Sequence, residues 1–199
     1  MQPLGIIDHQ MGELWVANPF MLVPNRQNLS AFERNRLFLN DHGKSFIDAS
    51  FASAADILAD SRSVVAADFN RDAAPDLLVA SDGGGPLRLF LNRFPANSDR
   101  IRLELVGVQS NHSGIGSRVV IQCANRRIVR DTFIQNSCLA LQPINNLIGV
   151  GAVTQIDHLT IRWPTGKIQE FKNLPTNVTI RIVEGSSTFQ TEPLSPDHT

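Results

Sequence analysis

The sequence predicts an all-β protein, and three observations carry that prediction. Short apolar runs at residues 64–67 and 77–80 have the length of strands and lack helical periodicity. The pentapeptide at residues 36–40, Arg-Leu-Phe-Leu-Asn, recurs unchanged at residues 88–92. Repeats of this size that are built from short strands indicate propeller blades or a β-solenoid. Turn residues separate the runs, and the one candidate helix, at residues 52–58, is short.

The composition allows a folded core and argues against two classes of partner. Hydrophobic residues make up 42% of the 199 residues and charged residues 19%, so disorder is not the default. The formal net charge is -1 and no basic run stands out, which argues against a nucleic-acid partner. No apolar run approaches the length of a membrane span, and the N-terminus lacks the pattern of a signal peptide.

The first half of the chain is predicted to consist of short strands joined by turns. Residues 36–40 and 45–48 have strand patterns on either side of a turn. Residues 77–81 and 87–91 likewise flank a glycine-rich turn.

The first half is organised around the acidic segment at residues 68–76. Asp68, Asn70, Asp72 and Asp76 place side-chain oxygens at relative positions 1, 3, 5 and 9, and Ala74 would add a backbone carbonyl at position 7. Calcium takes six to eight oxygen ligands, and a loop with oxygens on alternate residues can wrap around one ion. Without an ion the three carboxylates would repel one another. The segment therefore predicts a Ca²⁺ site formed by these five residues.

The segment departs from the EF-hand pattern. Ala73 and Val79 stand where an EF-hand has Gly and Glu, and both flanks have strand rather than helix patterns. We therefore predict a loop between two strands of a sheet. The alternative is an Asp/Asn-rich turn that binds nothing, since these residues favour turns by capping their own backbone.

A degenerate copy of this pattern lies near the N-terminus. Glu13 opens a segment similar to the one that Asp76 opens. The upstream positions where a calcium loop would have oxygens hold His9, Ile7 and Gly5. We interpret this copy as a decayed loop that holds no ion.

The second half has a different pattern. Strands are predicted at residues 101–107, 119–123, 167–171 and 178–183, with further segments of this pattern at residues 147–151 and 156–166. The glycine-rich segment between the first two strands lacks the spacing of a phosphate-binding loop, so we expect a tight turn. The tail from residue 185 onward is rich in Ser, Thr and Pro and is expected to be mobile.

Several residues of the second half invite a specific expectation. Arg118 opens a strand and should pair with a nearby carboxylate or carbonyl. Trp163 is either a sugar-stacking platform or an anchor in the core. Cys123 and Cys138 either form one bridge or remain two buried thiols, and they are too few for a disulfide scaffold.

Two family resemblances follow from these motifs. Over residues 5–95, the order of strand, Asp-x-Asn-x-Asp-x-x-x-Asp-Leu loop, strand and Arg-Leu-Phe-Leu-Asn resembles FG-GAP/VCBS repeats, the blades of integrin-alpha-like propellers. In those repeats an ion sits in the loop between blade strands. Residues 101–185 resemble the ASPIC/UnbV domain, which follows such blades in its family. Its hallmarks are matched by Ser110-Asn111, by Gly114 to Val119, by residues 147–151 and by the Trp-Pro-Thr-Gly hairpin that starts at Trp163.

The resemblances imply a domain organisation. We predict an FG-GAP/VCBS region of about two partial propeller blades, the first degenerate, over residues 1–97. An ASPIC/UnbV-like domain, expected to be an antiparallel β-sandwich, follows over residues 98–185, and a flexible tail over residues 186–199. Two blades leave sheet edges open, so we expect a missing N-terminal propeller segment, the C-terminal domain or another copy to cover them.

The resemblances also imply a function. We expect a non-catalytic, calcium-binding module of the extracellular or cell-surface type that recognises a protein or glycan ligand, with no nucleic-acid partner and no membrane span. One alternative is a carbohydrate-binding accessory module with Trp163 on an exposed face. Another is an accessory protein or enzyme of secondary metabolism, of the enediyne type. The five histidines are scattered and no nucleophile and base stand together, so an enzyme is not expected.

Overall fold

The computed structural model describes residues 6–8, 13–15, 34–41, 43–81, 86–93, 99–134, 140–144 and 146–194. These residues form fifteen strands and no helix, so the predicted all-β class is confirmed. No described helix is long and apolar enough to cross a membrane. Two compact units are present, one formed by Met1–Arg62 with Ala80–Leu87 and the other by Ser63–Val79 with Arg88–Thr199.

The first unit contains two antiparallel hairpins. Strands β1 (Ile6–Asp8) and β2 (Glu13–Trp15) pair with each other, and so do β3 (Phe38–Asp41) and β4 (Ser45–Asp48). The turn of the second hairpin is closed by Gly43 N, which donates to Asn40 Oδ1 at 2.7 Å. Gly43 has a φ of 77°, a left-handed conformation that glycine adopts without a steric penalty. Residues 38–40 of the first copy of the repeated pentapeptide therefore lie in a strand, which confirms that part of the prediction.

The candidate helix at residues 52–58 is wrong, because residues 51–54 form a turn. Ser53 Oγ donates to Ser50 O at 3.1 Å and accepts from Ala55 N at 3.3 Å, so side-chain bonds compete with the helical pattern. Ala54 has a φ of 57°, which a continuing right-handed helix does not allow.

The second copy of the repeat lies in a three-stranded sheet of order β5-β6-β7. Its strands are β5 (Ser61–Ala67), β6 (Asp76–Ser81) and β7 (Arg88–Phe90). The acidic segment connects β5 to β6, which are neighbours in the sheet. The predicted position of this loop between two strands is therefore confirmed.

Two four-stranded sheets follow, and together they form a sandwich. One has the order β10-β9-β12-β13 and the other β11-β8-β14-β15. The described pairs within these sheets are antiparallel except β8 and β14, which run parallel, so the predicted antiparallel arrangement is not complete. The strands are β8 (Asp99–Val106), β9 (Arg118–Cys123), β10 (Arg126–Asp131), β11 (Asn146–Gly151), β12 (Gln155–Arg162), β13 (Ile168–Pro175), β14 (Val178–Val183) and β15 (Phe189–Pro193).

Side-chain alternation builds the core between these two sheets. In β8, Ile101, Leu103 and Leu105 are buried, whereas Arg100 and Arg102 on the opposite face are half-buried. One cluster of buried side chains draws on both sheets, including β9, β12 and β13 from one and β8, β11 and β14 from the other. Two sheets that share one core in this way are a β-sandwich.

The tail differs from the prediction. The expected flexible tail over residues 186–199 is wrong for Phe189–Pro193, which form β15 and pair with β14. Phe189 packs against the core, and its ring meets the ring of Phe171 edge-on with centroids 5.8 Å apart. This aromatic contact and the hydrogen bonds of the sheet edge hold a polar segment in place.

Cys123 is a buried free thiol at the end of β9. Its Sγ lies 3.6 Å from Val150 O, and burial raises the pKa of the thiol. Because the chain has only two cysteines, a free Cys123 excludes the bridge between them. Cys138 itself lies outside the described residues.

Candidate functional site

The loop between β5 and β6 turns sharply at two left-handed residues. Arg71 has a φ of 62° and Ala73 a φ of 60°. Ala73 stands where a related calcium loop would have Gly, and it nevertheless adopts the conformation that Gly favours, at a steric cost. It is also buried. The departure from Gly therefore does not prevent the backbone from forming the turn.

The four side chains predicted as metal ligands turn back towards the loop. Each of them accepts a hydrogen bond from a backbone N–H group within the loop. The four bonds run from Ala73 N to Asp68 Oδ2 (3.0 Å), from Asp72 N to Asn70 Oδ1 (3.2 Å), from Ala74 N to Asp72 Oδ1 (2.8 Å) and from Phe69 N to Asp76 Oδ2 (2.9 Å). The spacing of the sequence thus produces a loop wrapped around its own oxygens.

Asp76 is the most deeply buried of these residues, with no solvent exposure. Besides the bond from Phe69 N, its Oδ1 accepts from Asn92 N at 2.8 Å. Asn92 ends the second copy of the repeated pentapeptide. The carboxylate therefore joins the loop to the segment that follows β7, and it has a structural role in the absence of any ion.

Two arginines of β8 reach the loop. Arg102 Nη2 lies 3.0 Å from Asp68 Oδ2, and the side chains are 22% and 9% exposed, respectively. Arg100 Nη1 donates to Ala73 O at 2.5 Å. In the described part of the chain, Asp68 Oδ1 is buried without a hydrogen-bond partner. The guanidinium of Arg102 thus supplies a positive charge beside an acidic side chain that the sequence assigns to a metal.

The predicted ligands have the chemistry that calcium prefers, but their side-chain oxygens do not converge on one point in the structure. All predicted ligands offer oxygen, and one buried oxygen of Asp68 is unused. However, no three His, Cys, Asp or Glu side chains among the described residues are grouped closely enough to hold a metal ion. Asn70 Nδ2 instead donates to Asp72 Oδ2 at 2.8 Å. Ion binding would therefore require the side chains of the loop to rearrange.

A second polar centre lies in the sandwich at Glu184. Its Oε2 accepts from three successive backbone N–H groups, those of Val108 (2.8 Å), Gln109 (2.8 Å) and Ser110 (2.7 Å). Its Oε1 lies 3.0 Å from both Ser110 Oγ and Thr165 Oγ1. Burial raises the pKa of this carboxyl, but these hydrogen bonds outweigh burial and lower it to about 2. Glu184 therefore holds the turn after β8 and the hairpin after β12 together.

Sequence reasoning missed this role of Glu184. Its only local signal is an acidic residue that directly follows the apolar strand β14. The backbone donors lie 74 to 76 positions earlier in the chain, so no short motif contains both partners.

The glycine-rich segment is a tight turn, as predicted, and it packs against the Trp-Pro hairpin. Gly114 and Gly116 have φ values of 64° and 90°. A Cβ atom at Gly114 would lie 2.9 Å from Leu105 Cβ and 3.5 Å from the Trp163 ring. Trp163 is only 1% exposed. The alternative that placed Trp163 on an exposed, sugar-stacking face is therefore wrong, because the indole is enclosed by the turn and the core.

The expected pairing of Arg118 is confirmed. Its Nε and Nη2 donate to the two carboxylate oxygens of Asp131 at 2.6 and 2.8 Å. These bonds raise the pKa of the guanidinium and lower that of the Asp131 carboxyl. The pair joins β9 to β10 at the surface, where it stabilises the strand pairing only modestly.

The family comparison agrees with one of the two resemblances. Residues 107–189 match the family model described as ASPIC and UnbV, which confirms that part of the expectation. The match includes the glycine-rich turn, the Trp-Pro hairpin and Glu184, the three features that meet in the sandwich. A search of curated proteins found no match. The FG-GAP/VCBS resemblance of residues 5–95 stays a prediction.

Proposed function

From the ASPIC and UnbV match and the geometry of the acidic loop, we propose that this chain is a non-catalytic, calcium-binding module of the extracellular or cell-surface type. Asp68, Asn70, Asp72 and Asp76 would ligate Ca²⁺ by side-chain oxygens and Ala74 by its carbonyl. The observation that carries the proposal is Asp68 Oδ1, an acidic oxygen that is buried and, among the described residues, unpartnered. An ion would satisfy this oxygen and offset the cost of burying it.

A protein or glycan ligand is the proposed partner, and the surface of the first unit favours a protein. Phe38, Phe46, Ile47 and Phe51 are 53%, 70%, 54% and 88% exposed. Phe38 and Phe46 share one face of the β3–β4 hairpin, because Phe38 pairs with Asp48, two residues after Phe46. Exposed apolar side chains that lie together are typical of contact surfaces between proteins. The module would bind this partner without catalysing a reaction on it.

Thermal unfolding in the presence of calcium or a chelator tests the ion site. Calcium should raise the melting temperature, since an ion that binds the folded state alone stabilises it by RT ln(1 + [L]/Kd). Asp72→Ala should remove most of this rise, because Asp72 contributes a ligand but makes only exposed bonds within the loop.

Asp131→Ala is the matched control. It also removes one carboxylate, but Asp131 lies on β10, in the sheet that does not contain β8. The calcium-dependent rise in melting temperature should therefore persist. A wild-type melting temperature that does not respond to millimolar calcium contradicts the proposed function. An unchanged response in Asp72→Ala contradicts the assignment of the site.

A further inference from the structure

The pleat of β8 directs two arginines away from the sandwich core. Ile101 and Leu103 point inward and are buried, so Arg100 and Arg102 lie on the outer face of the same sheet. β8 is an interior strand of that sheet, with β11 on one side and β14 on the other. The backbone that carries both guanidinium groups is therefore held on two sides.

Both guanidinium groups contact the acidic loop at or beside residues that are predicted to bind the ion. Arg102 pairs with Asp68, which is the first of the predicted ligands. Arg100 contacts the carbonyl of Ala73, next to the predicted carbonyl ligand Ala74. The contacts are part-buried, so water screens them less than it screens a surface pair.

One carboxylate cannot serve two cations equally well. An ion bound to Asp68 Oδ1 would lie within a few ångströms of the Arg102 guanidinium on Oδ2, and like charges at that distance repel. Arg102 must therefore withdraw when the ion binds, and the loss of its pair with Asp68 lowers the affinity for the ion.

We propose that Arg102 is a tethered competitor for calcium at Asp68. The guanidinium holds the loop in its folded shape when calcium is scarce, and calcium must displace that charge when it binds. This inference rests on the calcium-binding function proposed above and adds how the affinity of the site is set.

Calorimetric calcium titration of the full chain tests the proposal. Arg102→Gln removes the competing charge and should tighten calcium binding by about tenfold or more, which corresponds to about 1.4 kcal/mol. Arg102→Lys keeps the positive charge and should keep the wild-type Kd to within about threefold, an estimate that allows for the different geometry of Lys. Arg130→Gln removes one positive charge from an exposed position on β10 and should leave the Kd unchanged.

The outcomes separate this inference from the proposed function. If the wild type binds calcium and Arg102→Gln binds it no more tightly, the competition is overturned but calcium binding is supported. Binding by Arg102→Gln but not by the wild type upholds the competition and overturns calcium binding as the function of the native chain. If neither the wild type nor Arg102→Gln binds calcium, both the competition and the calcium-binding function are overturned.

The wild-type protein gives a second readout in case Arg102→Gln does not fold. The side-chain nitrogen resonance of Arg102, assigned by comparison with Arg102→Lys, should shift on saturation with calcium. That of Arg130, on another strand, should not. An Arg102 resonance that stays in place while calcium binds overturns the competition.

Discussion

Replacement of Asp76 by Ala is the sharpest test of how the acidic loop is held together. The carboxylate is fully buried and accepts two backbone N–H groups, from Phe69 at 2.9 Å and from Asn92 at 2.8 Å. Alanine removes both acceptors at once. The loop then loses its bond to the segment after β7 as well as one of its own closing bonds.

The expected loss of stability follows from these two bonds. A hydrogen bond to a charged group contributes about 1.5–3 kcal/mol, so two would contribute on the order of 3–6 kcal/mol. Phe69 is exposed and Asn92 half-buried, so water can reach the freed donors in part. We therefore expect Asp76→Ala to lower the free energy of unfolding by about 3 kcal/mol, at the lower end of that range.

Asp76→Asn refines the same argument. The amide has one oxygen and one NH₂ group, so it can accept one of the two N–H groups but must turn a donor towards the other. We expect a loss of about half to all of that caused by Ala. If Asp76→Asn unfolds with the same free energy as the wild type, only one of the two hydrogen bonds contributes to stability.

Urea unfolding followed by circular dichroism, with a chelator present throughout, measures these losses without any contribution from calcium. Asp72→Ala is the control, since its carboxylate is exposed and bonds only within the loop, and it should cost about 1 kcal/mol or less. A loss below about 1 kcal/mol for Asp76→Ala would refute the view that this carboxylate holds the loop.

Two further predictions concern the sandwich. Because the pKa of Glu184 is lowered from 4.5 to about 2, its ionised form stabilises the fold fully above pH 4.5, and this stabilisation is lost as the pH falls towards 2. Wild type and Glu184→Gln should therefore differ most in melting temperature near neutral pH and converge near pH 2, and a difference that is independent of pH would contradict this role. Gly107→Ala should strongly destabilise the chain, since a Cβ there would overlap the backbone oxygen of Asn111. Circular dichroism melting should show it, with Gly166→Ala as the milder control because Gly166 has a left-handed φ but open space around its Cβ.

The sequence was sufficient to predict most interior strands and failed at two edges. Alternation identified β8, β12 and β14, whose apolar residues face a core on one side. β10 and β15 were missed, and each is the outermost strand of its sheet. An edge strand needs fewer buried side chains, so β10 is rich in Arg and β15 is mostly polar with a terminal Pro. β11 and β13 also lie at sheet edges but were predicted, because each buries apolar side chains in the core. The pattern therefore fails at those edge strands that bury few side chains.

The closure of the acidic loop was predictable from its residues, but the partners that reach it from elsewhere in the chain were not. The spacing from Asp68 to Asp76 predicted a loop wrapped around oxygens, and local backbone bonds of the expected kind close it. The pairing of Asp68 with Arg102 spans 34 positions, and nothing in the loop sequence indicates it. It depends on the pleat of β8 and on where that strand lies in the sheet. Tertiary contacts of this kind decide whether an acidic loop is neutralised by an ion or by the chain itself.

The parallel pairing of β8 with β14 has a consequence for synthesis of the chain. Ile101 lies opposite Val178, so β8 emerges 77 residues before the partner that completes its place in the sheet. At about 5–20 residues per second, that interval is on the order of 4–15 s. During it, the apolar face of β8 has no finished sheet to cover it. Until translation has passed β14, one edge of β8 therefore stays open to pairing with another chain.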